Sequence, residues 1–235
     1  MPIPARQTLE LSPFMRANLK LFRIYWLLAA AFILLLPFKP YPLSYVLKAV
    51  PIWLCAFAAL EHIRGTRGSR LALGLVFCSA GDVFLDFDRE SLFVFGLGSF
   101  LVGHVFFIDS FARRMKLNPN ALLPVAFYFL FSVGMGFVLF NKIEDKNMVI
   151  PVFLYLGVIF MMATVATLRT WRTNRVILGA VTFMLSDTLI ALDKFVYPFP
   201  DIPLPGGLAV SAASLSIMLT YYLAQYWITK GSIAG

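Results

Sequence analysis

Charge is scarce in this sequence. Asp, Glu, Lys and Arg make up 14% of its 235 residues, against about a quarter in ordinary soluble domains. With 60% of residues hydrophobic, too little polar surface remains to cover a water-facing exterior. Cysteine is nearly absent, with only Cys55 and Cys78, both inside apolar runs. That argues against a disulfide framework and reads as two small buried fillers. Histidine is limited to His62 and His104, so one chain cannot build a three-histidine zinc site. No G-x-S-x-G elbow, phosphate loop or dinucleotide fingerprint is present. A glycine-serine linker, a prenylation box and a strong internal repeat are also missing, so an inverted-repeat transporter gains no support. Neither a metal nor a cofactor is expected.

What the chain has instead is long apolar runs. Eight segments of about 17 to 22 residues can be marked, at 21–38, 42–60, 71–87, 92–111, 121–140, 148–168, 176–195 and 207–228. At 1.5 Å per residue each can cross a hydrocarbon layer of about 30 Å. The first is too long for a signal-peptide core and lacks a clean cleavage site, so it reads as a retained helix. The expected fold is therefore an all-α integral membrane protein, a bundle of eight transmembrane helices joined by short connections. Residues 1–20 form a cytosolic N-terminal segment, 21–228 the transmembrane domain and 229–235 a cytosolic tail. Pro51, Pro124 and Pro151 fall at or slightly inside helix starts, where a missing backbone donor is tolerated or kinks the helix. Gly134 and Gly136 suggest close backbone packing in the fifth helix.

A net charge of +8 raises the question of a nucleic-acid partner, but the basic residues lie in short clusters between apolar runs. Arg6, Arg16, Lys20, Arg23, Arg64, Arg67, Arg70, Arg113, Arg114, Lys116, Arg169, Arg172, Arg175 and Lys230 fall at the ends or after the second, fourth and sixth runs. Only Lys39, Lys48, Arg89, Lys142, Lys146 and Lys194 belong to the other side. This asymmetry predicts cytosolic termini and an even number of spans. No nucleic acid is expected as a partner.

Ionisable residues inside spans carry the functional signal. Asp82 and Asp187 each lie about eleven residues, or about 17 Å, past the cytosolic start of their helix. Leaving an Asp in hydrocarbon costs roughly 2.5 to 3.5 kcal/mol, so both are expected to face the bundle interior. Two negative charges there repel, and one of the pair is expected to be protonated near neutral pH. Lys48, about 9 Å from the outer end of its helix, either reaches the same layer or snorkels outward. His104 can orient an Asp, shuttle a proton or serve as a satisfied core residue. Asp86 is one turn above Asp82 and can line an entrance, while Asp193 and Lys194 read as a rim. Asp109 is expected to pair with Arg113 four residues on. Tyr221, Tyr222 and Gln225 supply polar handles in the last helix.

At these residues the chain resembles the YhhN family of membrane lysoplasmalogenases, especially its animal transmembrane members. The resemblance runs through Val46-Leu47-Lys48-Ala49-Val50-Pro51-Ile52, the stretch from Gly74 through Gly81-Asp82 to Phe84-Leu85, and Phe93, Gly96 and His104. It continues in Ser186-Asp187, Ala191-Leu192, Lys194-Phe195 and Tyr221-Tyr222-Leu223-Ala224-Gln225. It implies hydrolysis of the vinyl-ether bond of ethanolamine or choline lysoplasmalogens, without a metal, in the endoplasmic-reticulum membrane. Substrate and surrounding membrane lipids are then the expected partners, and the oligomeric state is not readable. Asp82 and Asp187 become the catalytic pair, with Lys48, His104, Lys194, Tyr221 and Tyr222 in support.

Vinyl-ether cleavage suits such a set. One carboxylic acid protonates the alkene carbon, and a carboxylate balances the oxocarbenium ion and guides water. Which Asp is the acid is not determined by the sequence. The residues alone leave an enzyme and a lipid carrier close together, since both place Asp, Lys and His in a membrane interior. A non-catalytic scaffold held by interhelical hydrogen bonds is the third reading.

Overall fold

The computed structural model describes residues 13–112, 115, 119–170 and 173–235. Of the basic residues assigned to the cytosolic side, Arg6, Arg113, Arg114, Lys116 and Arg172 lie outside them. Eight α-helices are seen among the described residues: α1 Pro13–Leu35, α2 Ser44–His62, α3 Thr66–Phe87, α4 Phe93–Phe111, α5 Pro119–Lys142, α6 Lys146–Leu168, α7 Arg175–Ala191 and α8 Ala212–Ala234. Local chemistry sets several ends. The Asp145 side chain caps α6 by accepting from the Asn147 amide at 2.9 Å, and Ser211 does the same for α8 from Ser214 at 3.2 Å, each satisfying one orphan donor of a first turn.

The protein is a helical, multi-span membrane bundle. Among the described residues six helices are long and apolar enough to cross a bilayer: α1, α2, α4, α5, α6 and α7, the last extended by one π-helical turn to Val196. The expected count of eight is not reached on that measure. The reason is compositional: α3 carries Arg67, Arg70, Asp82 and Asp86, and α8 is diluted by serine, threonine and Gln225. The outward faces of the other helices present Leu27, Leu34, Phe57, Leu123, Phe137 and Phe140 to the surroundings, as a lipid-contacting surface requires.

Several helix boundaries differ from the sequence reading: α1 starts at Pro13 and not at 21, and α3 at Thr66 and not at 71. Residues 207–211 are not α-helical. They belong to a connection that includes a short antiparallel hairpin, β1 Asp201–Pro203 and β2 Ala209–Ser211, with Ile202 opposite Val210. That connection is not short. At the other end α8 continues to Ala234.

Helix neighbours close on themselves. α2 packs on α3, α3 on α4, α4 on α6, α6 on α7, α7 on α8, and α8 returns to α2. α1 lies against α2 and α8 outside this ring, and α5 lies against α6. The polar helices α3 and α8 are thus walls of a six-helix enclosure, where they need not be apolar all round.

Glycine makes two of these contacts close. An added Cβ at Gly74 would stand 2.9 Å from the Gly103 carbonyl oxygen, and one at Gly81 3.0 Å from the Gly96 oxygen, so α3 and α4 touch backbone to backbone at two levels seven residues apart. Gly179 and Gly231 do the same for α7 and α8. In lipid, where apolar side chains gain nothing by leaving water, such van der Waals contact drives association. The glycines singled out in α5 do not serve this purpose. A Cβ added at Gly134 would meet nothing within 4 Å and one at Gly136 only side chains of α6, because α5 sits at the periphery.

Candidate functional site

Each helix of the ring sends at least one buried polar side chain inward: Lys48 from α2, Asp82 from α3, His104 from α4, Tyr155 from α6, Asp187 from α7 and Tyr221 from α8. The glycine seams fix two of them, since Asp82 follows Gly81 and His104 follows Gly103. Five of the six side chains line two neighbouring cavities, and His104 stands behind Asp187 in neither lining.

The first cavity is polar, about 130 Å³, and its lining includes Lys39, Lys48, Asp82, Asp86, Arg89 and Tyr221. Lys48 reaches inward rather than snorkelling. Its Nζ is 3.4 Å from Asp82 Oδ1 and 3.4 Å from the Asp82 carbonyl oxygen. Tyr222 donates to the Lys48 carbonyl at 2.9 Å and itself accepts, through its own carbonyl, from the Tyr25 hydroxyl. Tyr222 therefore braces the lysine's backbone and does not line the cavity. The Tyr221 hydroxyl lies beside the Asp82 carboxyl.

Asp86, one turn above, is held on both oxygens, by an ion pair with Lys39 and by the Ser44 hydroxyl. Burial pulls the Lys39 ammonium below the ordinary lysine range against the opposing effect of Asp86. Arg89 Nη1 pairs with Asp193 at 2.7 Å, which ties the end of α3 to the π-helical turn after α7.

The second cavity is narrow, about 50 Å³, and almost wholly apolar, with Met135, Leu139, Leu156, Thr188, Tyr155 and Asp187 among its lining. Asp187 accepts a hydrogen bond from the Tyr155 hydroxyl. His104 Nε2 stands 4.0 Å from Asp187 Oδ2, while its Nδ1 is 2.7 Å from the Phe100 carbonyl. A carbonyl only accepts, so Nδ1 carries a hydrogen and donates to it, which turns Nε2 toward Asp187. Phe107, Tyr155 and Phe183 hold the imidazole edge to face.

Leu85, Phe100 and Ile190 line both cavities and form the wall between them. Successive residues of α7 face opposite ways, Ser186 to the polar cavity and Asp187 to the apolar one. The two carboxyls lie within electrostatic range of one another. On the α5–α6 seam an open groove of about 480 Å³, lined by Gly136, Phe140, Phe153, Leu156 and Gly157, shares Leu156 with the apolar cavity.

Other residues named from the sequence lie elsewhere. Lys194 pairs with Glu90 at the surface and lies over the Phe93 ring, outside both cavities. Asp109 pairs with Arg70 of α3, 2.7 Å from its Nε; Arg113, the partner expected from spacing, lies outside the described residues. Gln225 is fully buried. Cys55 and Cys78 are buried free thiols. Tyr155, Lys39, Ser44 and Arg89 escaped the sequence reading as site residues. Tyr155 alone gave a signal, as a tyrosine deep in an apolar run instead of at the interfacial belt that tyrosines favour. Among the described residues no group of three or more His, Cys, Asp or Glu is arranged to hold a metal ion.

The chain is 28% identical to the human lysoplasmalogenase TMEM86A over 95% of its own length and 88% of that protein. It is 31% identical to the mouse lysoplasmalogenase TMEM86B over 80% of the chain and 74% of that protein. To a lysoplasmalogenase of Mycobacterium bovis it is 29% identical over 80% of the chain and 69% of that protein. No solved structure matches it. The YhhN family model covers residues 43–232, a stretch that takes in all six inward-facing side chains, and the chain belongs to the YhhN family.

Proposed function

We propose that this protein is a lysoplasmalogenase, which hydrolyses the vinyl-ether bond of an ethanolamine or choline lysoplasmalogen to a fatty aldehyde and a glycerophospho-base. The activity named for the relatives above supports this reading, and one observation carries it. Two buried carboxyls with different surroundings face two cavities that share a wall, one polar and one apolar. A single-chain lipid laid across that wall has its polar end beside Lys48 and Asp82, its tail beside Asp187, and its alkenyl bond at the boundary.

The roles follow from those surroundings. Asp187 has an apolar cavity, a phenol and a neutral imidazole about it, where an unpaired negative charge is costly; it acts as the acid. It gives its proton to the second carbon of the alkenyl chain, and the first carbon, bonded to oxygen, becomes an oxocarbenium ion. Asp82, paired with Lys48, is the carboxylate that faces this charge and takes a proton from the attacking water. The hemiacetal collapses to aldehyde and free glycerol hydroxyl, with one water consumed. His104 and Tyr155 set the position of Asp187, and Tyr221 stands beside the water. General acid-base steps of this kind contribute about 10²- to 10⁴-fold each.

All eight helices cross the membrane in this reading, α3 and α8 being shielded by their ring neighbours, with both termini cytosolic. The endoplasmic reticulum is the proposed membrane. The test is mass-resolved product analysis of purified protein given lysoplasmalogen or an ester-linked lysophospholipid in separate reactions. Aldehyde from the first alone is expected. Unchanged lipid mass with movement between leaflets would instead show a carrier, and ester cleavage an ordinary lipase.

A further inference from the structure

We infer that the outer part of the polar cavity is a binding site for a phosphodiester, with Arg89 and Lys39 as its principal ligands. The inference rests on the hydrolase reading only for the identity of the lipid that brings the phosphate. Three cations line this cavity, Lys39, Lys48 and Arg89, against two carboxylates, Asp82 and Asp86. Their donors are not exhausted by these partners. Arg89 uses Nη1 on Asp193, while Nη2 is buried without a hydrogen-bond partner. Asp193 in turn accepts from the Phe199 amide at 2.9 Å, so the guanidinium is anchored from behind with one nitrogen left over. Lys39 has three N–H groups, of which Asp86 takes one. Lys48 has only two contacts at 3.4 Å.

Asp86 has both oxygens engaged, so it serves as a fixed counterion that keeps Lys39 at the cavity and is not itself free for an ammonium group. A planar fork beside a point-charge ammonium is the donor pair that suits the two non-bridging oxygens of a phosphate. The apolar cavity, where Asp187 is the sole ionisable carboxyl in the lining, offers no comparable group. The phosphate is thereby drawn to one side of the wall, and the register of the glycerol and alkenyl carbons follows from it. Lys39 and Arg89 are positioning residues for the reaction.

The test compares two substrates that carry the same vinyl ether, 1-alkenyl-glycerophosphoethanolamine and the phosphate-free 1-alkenylglycerol, with purified wild type, Arg89→Ala, Arg89→Lys and Lys39→Ala. Arg89→Ala and Lys39→Ala are expected to raise KM for the phospholipid about tenfold, the loss typical of one charged hydrogen bond. They should leave 1-alkenylglycerol turnover nearly unchanged, and Arg89→Lys should recover part of the loss. An equal effect on both substrates, or no effect on the phospholipid, overturns the site. Binding of the non-hydrolysable 1-alkyl-glycerophosphoethanolamine, read by calorimetry against 1-alkylglycerol, tests the site without chemistry. Phosphate-dependent affinity lost in Arg89→Ala supports the site even where no aldehyde is formed, an outcome that would overturn the hydrolase reading alone. Monodispersity in detergent shows that each variant is folded.

Discussion

His104 and Asp187 face each other across 4.0 Å from different helices, the imidazole approaching with the nitrogen that its bond to the Phe100 carbonyl leaves bare. The geometry is that of a base held just beyond hydrogen-bond reach of an acid. Closure by about 1 Å would let the carboxyl's proton be shared with the ring. In the proposed mechanism His104→Gln is expected to lower kcat by about tenfold to a hundredfold with little change in KM, measured as aldehyde release from lysoplasmalogen. A fall in KM affinity with unchanged kcat would assign the ring to substrate contact instead.

The carboxyls themselves should matter more. Asp82→Asn and Asp187→Asn keep shape and lose the acid or carboxylate. Each is expected to reduce aldehyde release by about 10²- to 10⁴-fold while the purified proteins remain inserted and monodisperse. Normal turnover by both would remove the paired-acid mechanism.

Tyr155→Phe retains the ring that packs on His104 and deletes the hydroxyl that Asp187 accepts from. Losing one buried hydrogen bond corresponds to about 1 kcal/mol, so a several-fold drop in kcat is expected, together with a slightly lower Tm. Unchanged kinetics would make this contact purely structural.

Lys48 and Asp82 form an ion pair with both side chains buried. Breaking such a pair from one side strands a charge and costs about 3 kcal/mol, whereas removing both partners costs far less. Lys48→Met should therefore lower thermal stability markedly, and Lys48→Met combined with Asp82→Asn should recover much of it. Additive losses in the double-mutant cycle would show that the two groups do not interact.

The helix seams give a stability prediction that does not depend on function. At Gly81 a methyl would stand 2.6 Å from the Phe100 ring and 3.0 Å from the Gly96 oxygen, while at Gly98 it meets nothing within 4 Å. Gly81→Ala is expected to cost about 1 to 3 kcal/mol and Gly98→Ala close to none, read by thermal unfolding in detergent. Equal Tm values would mean that α3 and α4 are not held in backbone contact.

Much of this was legible in advance because the cost of burying charge is so large. A carboxylate in an apolar run has few acceptable destinations, so Asp82, Asp187, Lys48 and His104 could be named before any coordinates. That Asp82 and Lys48 line one cavity and Asp187 another was not legible, since it depends on how far each helix is rotated about its axis. Tyr155 was missed because a phenol costs little to bury and leaves a faint trace in a hydrophobic sequence. Asp109 shows a further limit: spacing along one helix says nothing of a cation on the next, and its pair with Arg70 of α3 could not be read in advance. The glycines of α5 misled for a related reason. Glycine in a sequence announces permission for close approach, and only the presence of a second helix on that face turns permission into contact.

The shared wall of Leu85, Phe100 and Ile190 bears on where the products go. For a lipid cut at that boundary, the two fragments start out in different solvents. The charged fragment is left among lysine and arginine, from which water can carry it off. In the proposed reaction the aldehyde would be left in the apolar cavity, which shares Leu156 with the groove between α5 and α6, and would leave sideways into the bilayer. An electrophile that reacts readily with protein amines would then be handed to the next enzyme through the lipid phase without entering the aqueous compartment.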